Sequence, residues 1–131
     1  MNRKQAREEA FILIFEKCFN DDPCDEILKL AEQVRDFEAD TYIENVFKGV
    51  YDNLDLIDGI ISEYSKGWSL KRISKTSLSV LRLAIYEIKF VESIPEAVSI
   101  NEAVELCKKY ATTDDSAFVN GILSSVVRAD A

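Results

Sequence analysis

The sequence contains no histidine, which removes the commonest acid–base group from any candidate active site. Its three cysteines, Cys18, Cys24 and Cys107, form no C-x-x-C pair. A zinc site would therefore have to combine scattered thiolates and carboxylates, so we expect no metal site. P-loop, dinucleotide-binding, G-x-S-x-G and H-E-x-x-H motifs are also missing. These absences disfavour an enzyme, and we expect no cofactor.

Long apolar runs are missing as well. No segment approaches the roughly 20 apolar residues that span a bilayer, and the N-terminus lacks the apolar core of a signal peptide. With 47% apolar and 31% charged residues, the 131-residue chain has the composition of a globular protein rather than a disordered one. We therefore predict one cytoplasmic domain, residues 1–131, without a membrane segment.

Positive charge is scarce. The chain has 16 lysines and arginines against 24 aspartates and glutamates, which gives a net charge of −8. The N-terminus departs from this balance, because Arg3, Lys4 and Arg7 occur there without an acidic residue between them. An acidic body repels a polyanion, so nucleic acid would have to bind at such a local basic patch.

Hydrophobic spacing predicts an all-α fold, one compact bundle of about seven helices. The central helix is expected at Ser77–Ile88, because its apolar side chains recur on three sides of a helix instead of one. A helix of this kind is surrounded by other helices. Its two charged residues, Arg82 and Glu87, should therefore be paired or lie at the rim of the bundle.

Turn and capping residues refine these expectations. The second helix is expected to direct Leu30 and Val34 inward. Ser99 and Glu102 have the spacing of a capping box and predict that a helix begins there. Gly121 lies inside the last helix, where glycine costs about 1 kcal/mol relative to alanine, so we expect it to permit the close packing of two backbones.

Phe118 follows the capping residues of the last helix. Its spacing relative to Val119 favours a position in the core. The alternative is a ring at the rim of the helix. Exposed rings beside basic residues are typical of single-stranded RNA recognition, in which bases stack and cations hold phosphates.

An ordered series of segments resembles the NusB family of bacterial transcription antitermination factors. The segments are L-R-L-A-I-Y-E-I at 81–88, I-P at 94–95, I-N-E-A-V-E-L-C-K-K-Y at 100–110, F-V-N-G-I-L at 118–123, R-x-x-x-R-E-x-A at 3–10 and D-x-I-D-G-I-I at 55–61. The resemblance covers essentially the whole chain. It implies an all-α protein that binds boxA RNA of nascent ribosomal RNA transcripts together with NusE, a small-subunit ribosomal protein. The complex joins other Nus factors on RNA polymerase, and neither catalysis nor a cofactor is implied.

The same resemblance implies RNA-binding roles for particular residues. The arginine-rich start of the family corresponds to Arg3, Lys4 and Arg7, as phosphate contacts. The RNA-contacting aromatic of the family corresponds to Phe118, against the core position that its spacing favours. An acidic position near the RNA corresponds to Asp114.

Two positions are implied to contact NusE. The partner-binding aromatic of the first helix corresponds to Phe15. Relatives carry an acidic residue five positions before the arginine of the central helix, and this chain has Ser77 there. A charged contact with NusE is therefore expected to be missing.

Two further interpretations stay open. One is an acidic helical adaptor that binds only proteins, which predicts that reversing the charge of Arg7 leaves RNA binding unchanged. The other is an RNA-binding accessory module for an RNA methyltransferase, since NusB-like bundles also precede such enzymes. The resemblance leaves open whether a homodimer covers the RNA surface.

Overall fold

The computed structural model describes residues 1–129, and among them it has seven α-helices, one short 3₁₀ turn and no strand. The helices are α1 (Arg3–Lys17), α2 (Cys24–Arg35), α3 (Thr41–Asp52), α4 (Leu54–Tyr64), α5 (Lys75–Phe90), α6 (Glu96–Tyr110) and α7 (Thr113–Ala129), with the 3₁₀ turn at Leu70–Arg72. The all-α prediction is thus confirmed. Within the described residues, no helix combines the length and the apolarity needed to cross a membrane.

Helix α5 lies at the centre and contacts α1, α3, α4, α6 and α7. Neighbours on several sides explain why its sequence is apolar almost all round. Leu81, Ala84 and Ile85 are fully buried, whereas Phe90 at the end of the helix is 43% exposed. The prediction of a buried central helix at Ser77–Ile88 is confirmed, and the observed helix is longer at both ends.

Both charged residues of the central helix are paired, as expected. Arg82 donates from Nε and Nη2 to the two carboxylate oxygens of Asp58, at 2.9 and 3.0 Å. Glu87 is completely buried and accepts a hydrogen bond from Arg7. The two pairs connect α5 to α4 and to α1.

The predicted capping box at Ser99 is wrong. Helix α6 begins one turn earlier, at Glu96, because Pro95 already has the backbone conformation that precedes a helix. Ser99 therefore lies inside α6, where its side chain hydrogen-bonds the buried carboxylate of α5. Glu102 instead forms an ion pair with Lys4, at 3.6 Å.

The predicted inner face of α2 is also partly wrong. Leu30 and Val34 are 58% and 73% exposed, and the buried residues are Ile27, Leu28 and Ala31. Helix α2 packs mainly against α1, so it needs only a narrow apolar stripe. Periodicity alone does not tell how many neighbours a helix has.

The close approach of two helices occurs at a different glycine from the one predicted. A Cβ at Gly121 would have no heavy atom within 4 Å, so this position does not pack against another backbone. A Cβ at Gly49 of α3 would lie 2.3 Å from the ring of Tyr86 on α5. The prediction for Gly121 is therefore wrong, and Gly49 is where α3 and α5 need a glycine.

Candidate nucleic-acid interface

The N-terminal cations are held by the first turn of α1. Asn2 caps this helix by accepting a hydrogen bond, and the turn presents Arg3 and Lys4 on the surface. The guanidinium of Arg3 lies 4.4 Å from the centre of the Tyr42 ring and has no carboxylate partner among residues 1–129. Lys4 shares its charge with Glu102. We call Arg3 and Lys4 the cationic patch.

Arg7 is not part of this patch. Its side chain is only 4% exposed, and its Nε donates to Oε2 of Glu87 at 2.8 Å. The Tyr42 hydroxyl donates to the same oxygen, and the Ser99 hydroxyl donates to Oε1 at 2.7 Å. Burial alone would lower the pKa of Arg7, but the hydrogen bond and charge of Glu87 outweigh it and the pKa is raised. The guanidinium is therefore committed to the interior, and this position contradicts the expected phosphate contact at Arg7.

The other predicted RNA residues lie where α7 begins. Phe118 is half-buried and packs on the core, and its ring centre is 6.2 Å from that of Trp68, in an edge-on arrangement. Asp114 is exposed in the first turn of α7, where a carboxylate favours the helix dipole. With Ser77 and Arg72 these residues line a cleft of about 330 Å³, which we call the aromatic cleft. Phe118 is thus at the rim of the bundle rather than inside the core.

Ser77 occupies the floor of the aromatic cleft. It is only 1% exposed, and its Oγ has no hydrogen-bond partner within residues 1–129. Its backbone N–H donates to the capping hydroxyl of Ser74 at 3.1 Å. A partner could contact this side chain only by reaching into the cleft.

Phe15, the other expected partner contact, belongs to a row of rings along α1. It is half-buried, and its ring centre lies 6.2 Å from that of Phe11 and 5.2 Å from that of Phe19. Phe19 is 67% exposed. The structure therefore places an exposed ring beside Phe15 that sequence reasoning did not select.

The cationic patch and the aromatic cleft lie at opposite ends of α5. Helices α1 and α5 run antiparallel, since Arg7 meets Glu87 while Cys18 Sγ lies 3.6 Å from Ser79 Oγ. The ten residues from Ser77 to Glu87 correspond to about 15 Å along the helix axis. The structure thus forms two separate patches, and only an extended ligand can reach both.

A metal or thiol site finds no support in the described part of the chain. Within residues 1–129, no three potential ligands come together as a metal site. All three cysteines are free, and burial raises the pKa of Cys107 to about 11. This thiol is therefore protonated at neutral pH, when it is neither a good nucleophile nor a metal ligand.

Comparison with known proteins gives a consistent result. The model of the NusB family matches residues 4–128. The transcription antitermination protein NusB of Natranaerobius thermophilus is 46% identical over 96% of this chain and 94% of its own, and that of Clostridium novyi is 41% identical over 98% and 100%.

Solved structures agree with the sequence comparison. The structure of T. maritima NusB is 34% identical, with a TM-score of 0.86 over 98% of this chain and 92% of that chain. A structure of antitermination factors NusB and NusE in complex with dsRNA is 26% identical, with a TM-score of 0.87 over 97% and 96%. Because relatives and family model match almost the whole seven-helix chain, this chain belongs to the NusB family.

Proposed function

We propose that this chain is a transcription antitermination factor that binds boxA RNA of nascent ribosomal RNA transcripts jointly with NusE. Family membership carries the proposal, since relatives 46% and 41% identical are transcription antitermination proteins. A similar solved complex contains NusB, NusE and dsRNA. Residues 1–131 would act in the cytoplasm as one non-catalytic RNA-binding unit, and would reach RNA polymerase through NusE and the other Nus factors.

The charge of the protein supports joint binding with a partner. At a net charge of −8 the body repels RNA, and in the cationic patch only Arg3 lacks a carboxylate partner among the described residues. Phosphate contacts supply most of the affinity of a nonspecific complex. A basic partner such as NusE would supply the positive field that this chain lacks.

The geometry supports a division of the RNA contacts between two patches. Arg3 and Lys4 would hold phosphates, and Phe118, with Asp114 nearby, would offer a ring to a base. Their separation of about 15 Å along α5 suits a single strand that passes from one patch to the other. Phe15 and Ser77 would face NusE.

The test is binding of a labelled boxA RNA, with and without NusE, at one fixed moderate salt concentration. We expect tight binding only when NusE is present. Phe118→Asp and Arg3→Glu should each weaken it, and Lys29→Glu, an equally exposed charge reversal on α2, should leave it unchanged. Arg3 replaces Arg7 in this test because reversing a buried charge would disturb the fold.

An absence of RNA binding in both mixtures, from a protein with a helical circular dichroism spectrum, would contradict the proposal. NusE binding without any RNA binding would favour the protein-only adaptor instead.

A further inference from the structure

The ring pair of Trp68 and Phe118 also borders a second, open groove, on the side away from Ser77. This groove has a volume of about 420 Å³ and runs between α7 and the end of α4. Its walls and floor include Lys66, Trp68, Phe118, Gly121, Ser125 and Arg128. We call it the α7 groove.

Charge distinguishes this groove from the aromatic cleft. Asp114 and Asp115 line the aromatic cleft, whereas no carboxylate among the described residues lines the α7 groove. Lys66 and Arg128 are exposed and form no ion pair with any residue of 1–129. In a protein of net charge −8, this groove therefore offers an anionic ligand two cations and no local repulsion.

The backbone holds one of these cations in place. Lys66 and Gly67 both have positive φ, 46° and 89°, and form a tight turn after α4. The Ser65 hydroxyl fixes this turn by donating to the carbonyl oxygen of Trp68 at 2.7 Å. The turn therefore sets Lys66 and the 52%-exposed ring of Trp68 side by side on one wall of the groove.

Helix α7 forms the other wall and the floor. Gly121 leaves the floor open, since a Cβ there would meet no atom within 4 Å. Arg128 donates from Nη2 to Ser125 Oγ at 3.3 Å, which directs its guanidinium along the helix. From Phe118 to Arg128 the groove follows ten residues, or about 15 Å of helix. Rings at one end, cations along the walls and an open floor are what a single RNA strand requires.

We propose that the α7 groove carries the RNA strand onward from the ring pair, with a base stacked on Trp68 and phosphates held by Lys66 and Arg128. The inference rests on the proposed function. It adds three contacts, in a part of the surface that the family resemblance did not assign. The strand is preferred over a protein ligand because stacking rings and unpaired cations occur here together.

The decisive variant adds a carboxylate to the groove. Gly121→Glu should weaken binding of the complex with NusE to a long boxA RNA by about fivefold or more, because it places a negative charge against the phosphates. Gly59→Glu is the matched control, since Gly59 is also an exposed glycine inside a helix whose added Cβ would meet no atom within 4 Å. Both variants have the same net charge, and both should fold, but only the first should affect RNA.

Two further measurements identify the contacts. Trp68→Ala should weaken binding by about five- to 150-fold, the range for loss of one stacked base. Lys66→Ala with Arg128→Ala should reduce the slope of log affinity against log salt by about 1.4, or about 0.7 per phosphate on a single strand. Shortening the RNA from one end should abolish the difference between Gly121→Glu and wild type.

Several outcomes would overturn the inference. Equal RNA affinity of wild type, Gly121→Glu and the double variant would exclude the groove from the RNA path. A loss of NusE affinity in Gly121→Glu, measured without RNA, would make the groove a protein surface. No RNA binding by wild-type protein with NusE would instead refute the proposed function, and this inference with it.

Discussion

Arg3 and Arg7 lie one turn apart on α1, yet burial gives them different roles. Arg3 is at the surface with its guanidinium over a ring, whereas Arg7 neutralises the buried Glu87. The sequence presents them as equivalent members of one basic cluster. Only the position of Glu87, 80 residues away, separates a surface cation from an internal one.

Loss of Arg7 should therefore act on stability. Arg7→Ala leaves Glu87 as a buried charge without its cation, which typically costs about 3–5 kcal/mol. Arg3→Ala removes only an exposed side chain and should change stability by less than about 0.5 kcal/mol. Urea unfolding followed by circular dichroism measures both free energies. Equal, small losses would mean that Glu87 is satisfied by Tyr42 and Ser99 alone.

Ser77 offers the opposite case, a buried polar group whose removal should do no harm. Its Oγ has no partner in the described structure, whereas Oγ of Ser79, also buried on α5, donates to the Lys75 carbonyl at 2.7 Å. Ser77→Ala should therefore be more stable than Ser79→Ala by about 1–2 kcal/mol. Comparing the two cancels the gain in helix propensity. Equal unfolding free energies would show that Ser77 has a partner in solution.

Between elements, the contact of α3 with α5 depends on Gly49. Gly49→Ala gains about 1 kcal/mol in helix propensity but pushes the Tyr86 ring from its place beside Phe90. We expect a net loss of about 1–2 kcal/mol from this overpacking. Gly121→Ala meets no atom and should stabilise by up to about 1 kcal/mol. Thermal unfolding of the two variants gives the comparison, and stabilisation by both would mean that the ring moves aside without cost.

Much of the helical architecture was predictable because it depends on periodicity within one segment. The central helix and the pairing of Arg82 followed from this local pattern. The wrong details depended on neighbours: Leu30 and Val34 are exposed because α2 has few partners, and Ser99 lies within α6 because Pro95 begins the helix earlier.

The candidate site was predictable only in part, for the same reason. Resemblance led to Arg3 and Phe118, both at or near the surface, but the burial of Arg7 had no local signal. Lys66, Trp68 and Arg128 were missed because they come from a turn and a distant helix that meet only in the fold. Recognising the groove requires the positions of carboxylates as well as cations.

Over the entire surface, the acidic charge should slow the encounter with RNA. Asp21, Glu26 and Glu38 are exposed and form no ion pair with any described residue, and neutralising all three changes the net charge from −8 to −5. The complex of the Asp21→Asn, Glu26→Gln, Glu38→Gln variant with NusE should associate with RNA several-fold faster at 0.01 M salt, where the Debye length is about 30 Å.

The same variant should dissociate at the wild-type rate, because the changed residues line neither the cleft nor the groove. At 1 M salt, with a Debye length of about 3 Å, the association rates should converge. Asp114→Asn provides the contrast: its carboxylate borders the aromatic cleft, so this variant should also dissociate more slowly, at either salt concentration. Stopped-flow measurements separate the two rates. If the triple variant alters dissociation and leaves association unchanged, the distant carboxylates act through local contacts and not through the field of the protein.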